Sequence, residues 1–161
     1  MLQQVCEHLL NYFIPRDERG IPVCYQADYS IASGVISPAP PLKEGQRFMI
    51  DGSDLNDGVY TYHEAGITND DDVSIADLQD EAFIGAICPM AVPKTVITLC
   101  SDISDWVEKY GEASNSPFTQ ETVVGVYSYM KSTKSTTDGG GVRDWPDVFA
   151  SRLNRWRKIS L

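Results

Sequence analysis

Long hydrophobic runs are missing from this 161-residue chain. Nothing in it approaches the ~20 consecutive apolar residues that a membrane-crossing helix needs, so no membrane association is expected. Histidine is scarce. His8 and His63 are the only two, and neither neighbours a Ser or Cys in a nucleophile context, so a hydrolytic triad finds no support. Both read as ordinary surface residues. The four cysteines, Cys6, Cys24, Cys88 and Cys100, include no Cys-x-x-Cys pair, which argues against structural zinc. Cys6, Cys88 and Cys100 fall among apolar residues and are expected as buried free thiols. The N-terminus lacks the basic region of a secretory signal. A chain made in a reducing compartment is not expected to rely on disulfides.

Positive charge is also in short supply: 13 Lys and Arg face 23 Asp and Glu, for a net charge of −10. The imbalance is local. Between Asp51 and Glu108 there are thirteen acids and one base, Lys94, whereas from Val142 onward there are five bases and two acids. Nonspecific DNA binding requires clustered cations on phosphates, so an acidic bulk argues against it. A chain polarised in this way suits docking against copies or partners of opposite sign.

What is present is organised around Gly45 to Tyr62. Two strand-like runs, Arg47 to Asp51 and Val59 to His63, flank the densest turn chemistry of the chain, Asp51-Gly52 and Asn56-Asp57-Gly58. Gly enters positive φ freely and Asn or Asp bonds its own backbone, so these residues reverse the chain at little cost. One face of this unit is expected to be buried. Upstream, Leu2, Val5, Cys6, Leu9, Leu10 and Phe13 recur at helical spacing until Pro15. Ile21 to Ser37 reads as extended, Asn69 to Asp72 as a solvated loop, Asp77 to Glu81 as a turn, and Phe83 to Cys88 as a closing strand. Val92, Val96, Leu99, Ile103, Trp106 and Tyr110 predict a helix over 93–110, with Gly111 as its stop, packed on the N-terminal helix.

Downstream, Thr122 to Tyr129 has strand composition, and Lys131 to Gly141 is a Ser/Thr/Gly-rich linker. Asp144 is placed to cap a short helix that ends in Arg152-Leu-Asn-Arg-Trp-Arg-Lys158. Trp145, Phe149 and Trp156 read either as anchors for a partner, since Trp and Arg favour interface hot spots, or as side chains folded back on the chain's own core.

The acids of the Asp51–Gly58 turn invite a calcium reading, but no frame fits an EF-hand template. Gly139-Gly-Gly141 follows no strand and lacks the Lys-Ser/Thr pair of a phosphate loop. No enzymatic activity, cofactor or metal is expected.

Four pieces of the chain carry a resemblance. They are Gly45 to Ser53 with Asn56 to Tyr62; Met90-Ala-Val-Pro93 leading to Trp106-Val-Glu-Lys-Tyr-Gly111; Ser116-Pro-Phe-Thr with Gly125 to Tyr129; and Phe149-Ala-Ser-Arg-Leu-Asn-Arg-Trp-Arg-Lys-Ile159. In this order they resemble head–tail connector (adaptor, or head-completion) proteins of tailed bacteriophages and prophages of Gram-positive bacteria. The resemblance implies a non-enzymatic virion protein that forms a homo-oligomeric ring at the neck. Its partners would be the portal and the tail or stopper proteins, and DNA would pass through without specific binding. It also implies residence in the host cytoplasm during assembly.

The expected architecture is α+β: a small helical frame (the N-terminal helix plus helix 93–110), an inserted small antiparallel β module over about 21–88, and an extended C-terminal arm. Residues 1–113 would form the first unit and 114–161 the second. Partner contacts are expected at Trp145, Phe149, Arg152, Arg155, Trp156 and Arg157. Tyr127 and Tyr129 would lie on a strand that augments a neighbour's sheet. Alternatives are a tail terminator, a minor capsid protein, or a small β-module protein that binds a ligand or calcium.

Overall fold

The computed structural model describes residues 1–115, 120–123, 127–130 and 144–158. The linker expected at Lys131 to Gly141 lies outside them. The architecture corrects the expectation of a helical frame with a small β insertion. Its bulk is a six-stranded antiparallel sheet curled towards a barrel, with a few short helices and one longer one laid on its outside.

The strands are β1 (Tyr25–Ala32), β2 (Val35–Ser37), β3 (Gln46–Asp51), β4 (Gly58–His63), β5 (Gly66–Asn69) and β6 (Glu81–Pro89). They run side by side in the order β2-β1-β6-β3-β4-β5. The two strands expected in the organising stretch appear as β3 and β4, paired from Gln46↔Tyr62 to Ile50↔Gly58. β6 joins the two halves, pairing with β1 on one side and β3 on the other. The curl brings the edge strands near each other, and a cleft of about 230 Å³ is lined by Val35 and Ile36 of β2 and by Gly66 and Ile67 of β5. β5 escaped the sequence reading because it is short and opens on Gly66. A hydrogen bond from the Ala76 amide to the Ile67 carbonyl covers part of its free edge.

Two cores follow from alternation along the strands. Tyr29, Ile31, Ile36, Phe48, Ile50, Ile67, Phe83 and Ile87 fill the concave side. Met49 and Val59, on the other side of β3 and β4, pack against helices instead. Both faces of the β3–β4 unit are therefore occupied, where the sequence suggested one.

Helix α1 (Leu2–Leu9) buries Leu2, Val5, Cys6 and Leu9 as its spacing requires. It ends sooner than expected, because Leu10 turns left-handed at φ 53°. Helix α2 (Lys94–Asn115) starts where expected but runs through Gly111. One interior glycine costs about 1 kcal/mol relative to alanine, too little to stop a helix with Val96, Leu99 and Ile103 buried against α1. β7 (Gln120–Val123) and β8 (Tyr127–Met130) form a hairpin, so the single strand expected over Thr122 to Tyr129 is two.

The cysteine expectation also changes. Cys88 is not a free thiol but is bonded to Cys24. The β1–β6 register sets Tyr25 opposite Ile87, so the next residues outward, Cys24 and Cys88, face each other with Cα atoms 4.2 Å apart. That spacing is typical of a non-hydrogen-bonded antiparallel pair. Cys6 and Cys100 are free and buried, and desolvation pushes their thiols up to about 12 and about 11.

Candidate functional site

The C-terminal residues singled out in the sequence form one surface, and its construction corrects the idea of an extended arm. Asp144 caps α3 (Trp145–Val148) by accepting a 2.7 Å hydrogen bond from the Trp145 amide. α4 (Ala150–Leu153) and a 3-10 turn (Asn154–Trp156) continue it. Leu153 is fully buried between α1 and α2, in the same core as Leu9 and Leu99. The Lys158 amide donates to the Leu9 carbonyl at 3.0 Å, and the Asn11 side chain donates to the Trp156 carbonyl. The segment is part of the body.

The aromatic residues face inward. Trp145 meets the His8 ring edge-on at 5.4 Å, Trp156 meets Phe13 at 6.0 Å, and Phe149 meets Trp106 at 6.5 Å. All three remain half-buried. The cationic heads lie outside this layer. Arg152 pairs with Asp102 at 2.6 Å, Arg155 lies over the Trp156 ring at 4.6 Å, and Arg157 donates to His8 Nε2 at 3.1 Å. A depression of about 350 Å³ between α2 and this segment is lined by Thr95, Thr98, Ser151, Arg152, Arg155 and Trp156, with no carboxylate among its walls. The expected contact residues are thus brought together as exposed arginines on an aromatic base anchored in the chain's own core. Tyr127 and Tyr129 fall on β8, which pairs with β7 alone among the described strands.

The acidic turn is built quite differently. Glu81, opening β6, accepts hydrogen bonds from the Ser53 hydroxyl, the Asp54 and Leu55 amides and the Asn56 side chain. The Ser53 bond leads these in holding the carboxyl below its usual range. Asn56 is buried. Its amide group donates to the Gln79 carbonyl, and its side-chain oxygen accepts from the Gln79 amide. Asp57 accepts from the Ser53 amide. Of the oxygens that made the turn look like a calcium loop, those of Asn56 and Asp57 are engaged by the chain's own N–H groups. What they hold up is the exposed pair Asp54–Leu55, between buried Ser53 and Asn56.

His63 sits between two carboxylates, with Nδ1 2.6 Å from Glu44 and Nε2 2.8 Å from Asp72. These bonds, Glu44's first, raise the imidazole above its ordinary value, and the His63 bond in turn lowers Glu44.

One further cavity was invisible in the sequence. About 770 Å³ in volume, it lies between α1, α2 and the outer face of β3, with Arg47, Gln4, Ser101 and Ser104 among its walls. Among the described residues, no group of three or more His, Cys, Asp or Glu is arranged to hold a metal, and no helix is long and apolar enough to cross a membrane. Comparison with family models, curated proteins and solved structures finds no match.

Proposed function

We propose that this chain is a non-enzymatic structural protein of a tailed-phage particle, a head–tail connector whose copies join side by side in a ring at the neck, between portal and tail. The observation that carries this reading is the contrast in charge between the sheet and the C-terminal segment of one body. Residues 16–90, the sheet and its loops, hold fourteen acids and four bases, whereas residues 144–158 hold four bases and two acids. Surfaces of opposite sign on different parts of one molecule favour heterologous, head-to-tail association, the kind that closes into rings. The order of the four sequence pieces that resemble connector proteins supports the same reading. Arg152, Arg155 and Arg157 are the partner-facing residues in it, while Trp145, Phe149 and Trp156 brace them from below. DNA would pass through the ring without base-specific contact.

The test is genetic. Without the chain, DNA-filled heads and free tails accumulate separately. Wild-type protein restores joined particles, and the Arg152→Glu/Arg155→Glu/Arg157→Glu variant, checked for native folding, restores far fewer. Normal tail joining in the absence of the chain would sink the proposal.

A further inference from the structure

Among the described residues, two buried side-chain polar atoms lack any hydrogen-bond partner: Arg47 Nε and Thr61 Oγ1. They are not scattered. Arg47 and Thr61 are directly opposed in the β3–β4 ladder, on the face turned towards the helices, and Arg47 lines the 770 Å³ cavity. A buried donor left unpaired costs about 1–3 kcal/mol, so Arg47 Nε at the wall of an open cavity, with Thr61 buried beside it in the ladder, marks a place where an acceptor belongs. No ion pair engages Arg47 among the described residues.

Three acids, Asp70, Asp71 and Glu108, line the cavity, and none forms an ion pair with Arg47 among the described residues. Asp70 is taken by the Met1 amine at 2.9 Å and by the Gln3 amide. Asp71 accepts from the Val73 and Ser74 amides and the Ser74 hydroxyl. Apolar walls come from Leu2, Ile97 and Val107. The groove therefore fits a carboxylate carried next to an apolar group.

One exposed feature of the same chain has that composition. Asp54 and Leu55 project from the turn that Glu81 and buried Asn56 hold rigid, and Leu55 is 54% exposed. The Glu81 carboxylate grips the backbone of both residues and leaves their side chains outward. A pre-organised tip loses little conformational freedom when it docks.

We propose that the Asp54–Leu55 tip of one copy inserts into the Arg47 groove of the next. The Asp54 carboxylate accepts from the Arg47 guanidinium, while Leu55 meets Leu2, Ile97 and Val107. This rests on the ring reading and names the contact that joins the copies. Val73 and Ile75, 82% and 84% exposed on the loop that carries Asp70 and Asp71 to the rim, extend the receiving surface.

The experiment is disulfide trapping in the full chain carrying Cys100→Ser. Leu55→Cys together with Ser104→Cys, oxidised in concentrated protein and in assembled particles, is expected to give a ladder at multiples of the chain mass. Mixing the two single-cysteine variants should give one cross-linked dimer. Arg47→Glu or Arg47→Met should remove the ladder, and Arg47→Glu with Asp54→Arg should restore it. The contact is overturned by no ladder in either setting, by dimers of Leu55→Cys alone, or by a ladder indifferent to Arg47. Incorporation into particles without a ladder refutes the contact and leaves the connector reading intact. A ladder in solution with no incorporation does the reverse.

Discussion

Gly85 and Asp51 are packed so closely that a β-carbon on Gly85 would sit well inside van der Waals contact distance of the Asp51 carbonyl oxygen. Gly52, at φ 91°, faces the same point from the other strand, where its own β-carbon would come within 3.2 Å of the Gly85 Cα. Here the acidic turn leaves β3 and crosses β6, and backbone lies on backbone. Gly85→Ala should cost about 1–3 kcal/mol, the usual range for overpacking, because the Asp51 carbonyl is backbone that cannot swing away and the Phe83 ring closes the other side at 2.9 Å. Chemical denaturation checks this, and a variant as stable as wild type contradicts the packing. If the tip contact is right, the same variant also loses copy-to-copy cross-linking.

Leu153 ties the C-terminal segment to the body. Leu153→Ala should destabilise by about 2–5 kcal/mol, as for a buried leucine whose cavity cannot collapse. Arg155→Glu, at an exposed position, should stay within about 0.5 kcal/mol of wild type. Thermal or denaturant melts separate the two. Equal effects would mean that the segment is not packed as described. Removing everything past Gly141 should likewise expose the α1–α2 core instead of leaving an independent folded remainder.

Thiol chemistry offers a count. The native protein should resist alkylation at Cys6 and Cys100, whose burial raises both thiols and disfavours the reactive thiolate. Denaturation without reductant should expose two labelled cysteines, and reduction should expose four. Cys24 and Cys88 close 64 residues of sequence, for which the loop-entropy model gives about 4 kcal/mol. The reduced protein should therefore melt at a lower denaturant concentration. Four labels without reductant would show that the bond is absent.

The His63 clip predicts a pH window. Its folded value is raised above 6.5, so its contribution is full below that value and lost as pH rises through the folded one. Glu44 is lowered from 4.5, so its contribution is present above 4.5 and lost as pH falls through its folded value. The clip is strongest between these ordinary values and fades on both sides. His63→Gln should flatten the change in stability across the neutral range. An imidazole titration by NMR at or below 6.5 would contradict the geometry.

Local features of the fold were legible because they depend on neighbours in sequence. The turn residues around Gly52 and Gly58 announced β3 and β4, the spacing of Leu2, Val5, Cys6 and Leu9 announced α1, and Asp144 announced its cap. The balance between sheet and helix was not legible. β1 pairs with β6 across 50 to 62 residues, from Ile31↔Glu81 to Tyr25↔Ile87, and no propensity encodes that partnership.

The candidate site divides the same way. Sequence pointed to the clustered arginines, because charge and Trp-Arg composition are visible in one dimension. It could not tell whether Trp145, Phe149 and Trp156 anchor a neighbour or the chain itself, and tertiary packing chose the chain by burying Leu153 between α1 and α2. Nor could it find Arg47, one base in an acidic chain, whose interest lies in what fails to reach it.

By itself, then, the order of residues determined the turns, the helix faces, the capping aspartate and the uneven spread of charge, all set by contacts a few positions apart. Only the folded chain decided that Cys24 meets Cys88, that the basic end belongs to the body, and that an unpaired guanidinium lies at the bottom of a groove. Those outcomes depend on which distant strands share a register, and that is settled by the packing of the whole.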